Sequence, residues 1–526
     1  MNSETRECTR CGKTKRLIAF DLSGRSKTQR RHVCRICRGR GQARAAAPPP
    51  EDPPTRYGRP LSATRYLITS AQNSTPVHAG FLATLQVAAK HLGAELVVIP
   101  FRYKNPTSVW TRKQDDDECW APELEPYLFN VRRKLNDNLV LLGDVKTQPT
   151  ASSPLTGFEA LTGAESCIVG HPKMQFRSVP APSSRYPKIL TTTGAVTRRN
   201  YTDTKAGKLG AFHHFLGAIV VELEGRHFHV RQVNADRVTG EFTDLDQHYT
   251  PDGATRAPPA LGLVMGDTHA RTTCPRVDAA TFGPEGIVET LQPQTLVFHD
   301  LFDGHTVNPH HVGDPFIAAA KHSGGATNVR EEVEHAIEFV RQRGAGRKSV
   351  IVSSNHDNFL ARWVRATDWR HNPGNAKFYL ETAQALLASA KMGPGGAEYD
   401  DPFTYWVERL RGRAQIRALK KNEGLKIGDV ECSLHGHEGP NGSKGTLKNL
   451  SRVGGKVIIA HNHTPGIEEG GYQVGTSTPL RLEYTSGPTS WQNAHCVVYA
   501  SGKRSLLLIV DGRWRGQIPD ARRARR

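Results

Sequence analysis

Short apolar runs that stop on a carboxylate, an amide or a histidine recur along the second half of the chain. Leu261-Gly262-Leu263-Val264-Met265 leads into Gly266-Asp267-Thr268-His269. Leu296-Val297-Phe298 leads into His299-Asp300-Leu301-Phe302-Asp303, and Val350-Ile351-Val352 towards Ser354-Asn355-His356-Asp357. Val457-Ile458-Ile459 leads into Ala460-His461-Asn462-His463, and Leu434-His435-Gly436-His437 adds a fifth polar block. Runs of this length, rich in β-branched residues, predict buried strands. Strands that end on metal-binding side chains predict ligands gathered at one rim of a sheet.

Between the blocks the period changes. Residues 329–343 repeat as a helix, with Glu331, Glu332 and Glu334 early and Arg341 and Arg343 late, as the helix dipole favours. Helices are also expected at 378–391 and 405–421. Upstream, strands are predicted at 66–69, 96–100, 139–142 and 217–221, with a helix over 80–92. Segments 227–230 and 241–243 predict an antiparallel pair, and 496–499 with 506–510 a hairpin turning through Ser501-Gly502-Lys503. The fold class is α/β. The expected organisation is a basic module at 1–44, a proline-rich linker at 45–60, an α/β domain of unassigned role at 61–256, the ligand-bearing domain at 257–516 and a basic tail at 517–526.

Charge and cysteines change the picture at the N-terminus. The net charge is +19, and the first 44 residues hold thirteen Lys/Arg against three Asp/Glu, more than half of that excess. Clustering of this kind favours a polyanionic partner, nucleic acid above all. Within the module, Cys8-Thr9-Arg10-Cys11 and Cys34-Arg35-Ile36-Cys37 form two C-x-x-C knuckles. Four thiolates in this spacing suit one tetrahedral structural zinc, which stabilises a segment too short to fold on its own core. Lys13, Lys15, Arg16, Arg30 and Arg31 lie between the knuckles and are the expected phosphate contacts. No apolar leader follows Met1, and the longest apolar runs are far too short to span a bilayer, so a cytoplasmic protein with no membrane association is expected.

The order D-x-H, D-x-x-D, N-H-D, H-G-H, H-x-H resembles that of the calcineurin-like metallophosphoesterases, over about half the chain. The resemblance implies a β-sandwich flanked by helices, holding two divalent cations. It assigns Asp267, His269 and His463 to the first ion, Asp300 to both, and Asn355, His435 and His461 to the second. It implies His356 as the catalytic histidine, oriented by Asp303, and Asp357 as a support for the loop. Imidazole and carboxylate ligands suit manganese, iron or zinc. The glycines that commonly precede the ligands in that family are replaced by His299, Ser354 and Ala460, while Gly266 is kept. His305, His310 and His311 are expected to face solvent.

Three functions fit. The zinc module and basic termini favour a nuclease acting on DNA, and the combination resembles phage-encoded proteins that degrade or help transfer DNA. A phosphatase or phosphodiesterase for proteins or small nucleotides would use the same site chemistry. A non-catalytic DNA-binding protein is the third reading.

Overall fold

The strands that precede the first three ligand blocks lie side by side because each buries both of its faces. Leu263 and Met265 pack on one side of their strand and Val264 on the other; Leu296 and Phe298 oppose Val297 in the same way. Such two-sided burial is the mark of parallel strands with covered faces. A computed structural model describes residues 4–9, 12–19, 32–34, 57–103, 119–182, 184–394, 396–482 and 485–516. In it, a six-stranded sheet runs Ile416–Ala418, Lys348–Ile351, Thr295–Phe298, Gly262–Val264, Asn493–Val498, Arg504–Ile509. The first four strands are mutually parallel and the last two form an antiparallel hairpin, as expected.

Helices Pro275–Phe282, Val329–Arg343, Asn358–Ala366, Ala376–Ser389 and Pro402–Leu410 cover one face of this sheet, through residues such as Val277, Ile337, Leu360, Phe378 and Trp406. The other face shares a core with two further sheets. Ile458 and Val430, Leu141 and Ile168, and Ile68, Ile99 and Ile219 pack with Val264, Val297 and Val350. Each such aliphatic side chain contributes about 1.5–3 kcal/mol on burial. The architecture is therefore mixed α/β, with helices over one sheet and further sheets beneath it.

The partner sheet has ten strands, half from each of the two segments expected to be separate domains. Lys426–Ile427, Val430–Glu431, Lys456–Ile459, Gly471–Gln473 and Gly466–Glu468 continue into Phe176–Val179, Lys188–Thr192, Ser166–Val169, Leu139–Leu142 and Arg132–Asn136. The seam is the antiparallel pairing of Gly466 with Arg177 and Ile467 with Phe176. The chain accordingly divides into Met1–Arg56 and Tyr57–Arg526, with no break at 256. Local hydropathy marks a strand but not its partner, which here lies almost 300 residues away.

Two local expectations change. The helix expected over 405–421 ends at Leu410, because Gly412 turns left-handed (φ 58°) and the chain re-enters the sheet as Ile416–Ala418. The signal was present: Ile416 and Ala418 are buried on either side of exposed Arg417, a period of two. The strand His227–Asn234 pairs with Gly217–Glu224, and Phe242–Asp244 with Gln247–Thr250, so 227–230 and 241–243 are not partners. No helix among the described residues is long and apolar enough to cross a membrane.

In the N-terminal unit, Thr5–Glu7 and Thr14–Arg16 form an antiparallel pair whose turn carries Cys8. The Cys34 amide donates to Cys8 Sγ at 3.3 Å, so one cysteine of each knuckle is brought together. Cys11 and Cys37 lie outside the described residues, as do Arg30 and Arg31. Lys13 and Arg16 are exposed, whereas Lys15 Nζ lies 3.4 Å from Cys34 Sγ and faces the cysteine pair.

Candidate metal centre

The ligand loops leave the ends of strands from two sheets, not from one rim. Asp267 and His269 follow Gly262–Val264, Asp300 follows Thr295–Phe298, and Asn355 and His356 follow Lys348–Ile351, all in the six-stranded sheet. His435 follows Val430–Glu431, and His461 and His463 follow Lys456–Ile459, in the ten-stranded sheet. The loops are tied to one another by main chain: the Thr268 amide donates to the His299 carbonyl, His269 to Asp300, and Ala460 to His435. Gly266 lets the first loop start hard against neighbouring main chain, since a Cβ there would meet the Ala494 and Gly475 carbonyl oxygens at 2.7 and 2.9 Å.

All seven predicted ligands converge. Ligand atoms of His269, Asp300 and His463 lie within 4.8 Å of one another, and so do those of Asp300, His435 and His461. Asp300 belongs to both of these groups, and a third set, His269, Asp303 and His356, meets the same distance limit. His269 Nε2 faces His463 Nε2 at 3.4 Å, and His463 Nε2 lies 3.1 Å from Asp267 Oδ2. On the other side, His435 Nε2 is 3.2 Å from Asp300 Oδ2 and 3.1 Å from Asn355 Oδ1. Asp267, His269, Asp300, His435 and His463 are buried, while His461 and Asn355 are partly exposed.

The donor set fits divalent cations. Both carboxylate oxygens of Asp267, Asp300 Oδ1 and the Nδ1 atoms of His269, His435 and His463 are buried without a hydrogen-bond partner. The Asp267–His463 approach is close enough for an ion pair but lacks hydrogen-bond alignment, so it does not satisfy those oxygens. Buried polar atoms in such numbers are costly unless a cation draws them together. The electrostatics agree. Burial opposes the charged form of His269, yet Asp303, Asp300 and Asp267 outweigh it and push its pKa up to about 9. Burial would raise Asp300, but His435 and its neighbours hold it well below the usual carboxylate range. The pocket attracts positive charge.

Backbone strain collects here too. His269, Asp300, His461 and His463 all adopt left-handed φ, between 43° and 74°. A non-glycine residue in a sparsely populated region of this kind costs about 1–3 kcal/mol and persists where surrounding structure enforces it. The unusual φ values thus fall on the ligands themselves, not on His299, Ser354 or Ala460. Those three serve differently. His299 is fully buried with its ring stacked on His435 at 5.7 Å; the Ser354 amide donates to Asp357 Oδ2 at 2.9 Å; the Ala460 amide ties two ligand loops.

His356 sits beside the first group, its ring 4.9 Å from that of His269. Its Nδ1 contacts the main-chain oxygen of Asp303 at 2.7 Å. A carbonyl only accepts, so Nδ1 carries the proton and Nε2 is left for a substrate. Asp303 therefore holds His356 through its backbone. Its carboxylate is turned to His269 Nδ1, at 3.4 Å, and to the Thr272 hydroxyl. Burial lowers the pKa of His356, an effect that the Asp300 charge only partly offsets.

A cleft of about 710 Å³ opens over the cluster, lined by His269, Asp300, Asn355, His356, His461 and His463. His305, His310 and His311 line it as well, so this loop walls the site and does not merely face solvent. The loop is anchored by Glu332, a residue that helix position alone would leave on the surface. Glu332 is buried and accepts from the His305 and Thr306 amides at 2.7 and 2.8 Å. Arg271, Phe359 and Trp491 are also among the wall residues and carried no signal in the sequence. His437 does not line the cleft; its ring packs behind, 5.3 Å from His435.

No protein-family model matches the chain. It is 31% identical over 469 residues to protein A1 of Escherichia phage T5, across 86% of this chain and 82% of that protein.

Proposed function

The chain belongs to the family of phage T5 protein A1, and we propose that it is a two-metal phosphodiester hydrolase of the calcineurin-like type, acting on DNA. The observation that carries this reading is the sharing of Asp300 between two ligand groups at the floor of a cleft that also presents His356. Asp267, His269, Asp300 and His463 would hold one cation, and Asp300, Asn355, His435 and His461 the other. None of the described lining residues is a cysteine, and the mixed imidazole, carboxylate and amide set suits manganese, iron or zinc. When bound, two such ions supply Lewis-acid activation of a phosphoryl group and of water. His356 Nε2 is placed to meet the charge that develops on phosphate or to pass a proton to the leaving alkoxide.

DNA is favoured over a small nucleotide or a phosphoprotein because the cleft runs from the buried ligands out to exposed Arg271 and His310. A basic module bearing paired cysteines precedes the catalytic unit and supplies recruitment. Purified protein with manganese is expected to cleave DNA. His356→Ala should lower the rate by about 100- to 10,000-fold with metal content unchanged. Hydrolysis of small phosphodiesters alone, with no DNA cleaved under any metal, would move the reading to a phosphodiesterase. Removal of residues 1–44 should weaken DNA binding and flatten its salt dependence.

A further inference from the structure

Aromatic side chains border both ends of the ligand row. Trp491 packs on ligand His463, with ring centroids 4.1 Å apart, and His463 is 5.3 Å from His269. At the other end His356 packs on Phe359 at 4.8 Å. Trp491 and Phe359 both line the cleft. A phosphate brought to His269 and His356 would therefore have an aromatic surface on either side. Beyond Phe359 the wall is basic or neutral: Arg271 is exposed and lines the cleft with His305 and His311, whose rings meet at 5.2 Å. The only carboxylates among the described lining residues are Asp300 and Asp303, and both face ligand imidazoles.

We infer that Trp491 is a stacking platform for a base next to the scissile phosphate, that Arg271 engages a neighbouring phosphate, and that the substrate is an unpaired DNA strand. The inference rests on the phosphodiesterase reading and narrows it. Base stacking on an aromatic ring needs an exposed π-face, which a base inside a duplex does not offer. The ligands lie deep, with His269 2% and Asp300 1% exposed. A strand whose bases splay apart can lower its backbone between Trp491 and the histidine loop; a rigid duplex cannot. Serine or threonine phosphates of a protein bring no flanking bases to stack on either ring.

The test offers the manganese-loaded protein three probes of equal length: a single-stranded oligodeoxynucleotide, the same strand with abasic sites flanking the scissile position, and a closed duplex. Full-length wild type should cleave the single strand much faster than the closed duplex. Trp491→Ala should raise KM for the normal strand by about 5- to 150-fold, the range for loss of one stacked base. The loss on the abasic strand should be several-fold smaller than on the normal strand, with metal content intact, and Trp491→Phe should restore most of the loss on the normal strand. Arg271→Ala should weaken normal and abasic strands alike and reduce the salt slope by about one. Equal loss on both strands in Trp491→Ala would make Trp491 a mere support for His463 and overturn the inference while leaving the phosphodiesterase reading intact. Equal cleavage of closed duplex and single strand by wild type would also overturn it. Failure of wild type to cleave any probe would overturn both.

Discussion

Two buried polar clusters in the Tyr57–Arg526 unit are built by opposite rules. Around Arg231 every charge is answered: Nε and Nη2 donate to the two oxygens of Asp244 at 2.8 and 2.9 Å, and Nη1 to Glu222 at 2.7 Å. The Gly516 amide donates to Glu222 as well, so the network joins strands Gly217–Glu224 and His227–Asn234 to the end of the described chain. Around Asp300 the polar atoms crowd together, several have no hydrogen-bond partner, and four ligands hold left-handed backbone. A satisfied network rigidifies a fold. An unsatisfied one is tolerated where a ligand will complete it. The difference separates a stability device from a candidate functional site without reference to any relative.

The contrast predicts opposite phenotypes. The largest effect is expected for Asp300→Asn, which removes the shared ligand: phosphodiesterase activity should fall to background and metal content should drop. In metal-free protein the thermal midpoint should move much less than in Arg231→Ala, and manganese, which is expected to raise it in wild type, should no longer do so. Metal analysis and melting curves on the same preparation check this; a large loss of stability would break the comparison. Next, Arg231→Ala strands two buried carboxylates and should cost about 3–5 kcal/mol of unfolding free energy, read from urea titration. Metal content should stay as in wild type.

A smaller effect follows from pH. Burial alone would raise Glu222, but the charge of Arg231 and its hydrogen bond overcome this and hold its pKa at about 2, against an ordinary 4.5. A depressed folded pKa means the stabilisation is complete above the ordinary value and is lost as pH falls through the folded one. Stability measured between pH 4.5 and 2 should therefore decline by up to about 3 kcal/mol from this group, and the decline should be absent in Arg231→Ala. The smallest effect is expected for Asp303→Asn. Since the backbone of Asp303 holds His356 and its carboxylate faces His269, metal affinity should weaken by about 10- to 100-fold. The activity remaining at saturating metal should keep its dependence on His356. Loss of that dependence would show that the carboxylate positions His356 after all.

Legibility in the sequence followed the range of the interactions involved. Helix Val329–Arg343 was readable to the residue, because an acidic first turn and a basic last turn are local signals. The strand runs before Asp267, Asp300 and Asn355 were readable for the same reason. Strand Ile416–Ala418 was hidden behind the helical pattern of its neighbours, and Glu332 looked like a dipole residue until the His305 loop was seen to fold onto it.

The candidate centre was thus present in one dimension: seven candidate ligands and His356 can be named from short motifs, most of which follow an apolar run. What tertiary structure decided was everything that depends on distance. It drew the ligands from two sheets, made one continuous sheet of segments that read as separate domains, and turned the Asp303 carboxylate to His269. It also set Trp491 and Arg271 on the rim of the cleft. Neither residue lies in a motif, because a cleft wall is assembled from positions whose only common property is where the chain brings them.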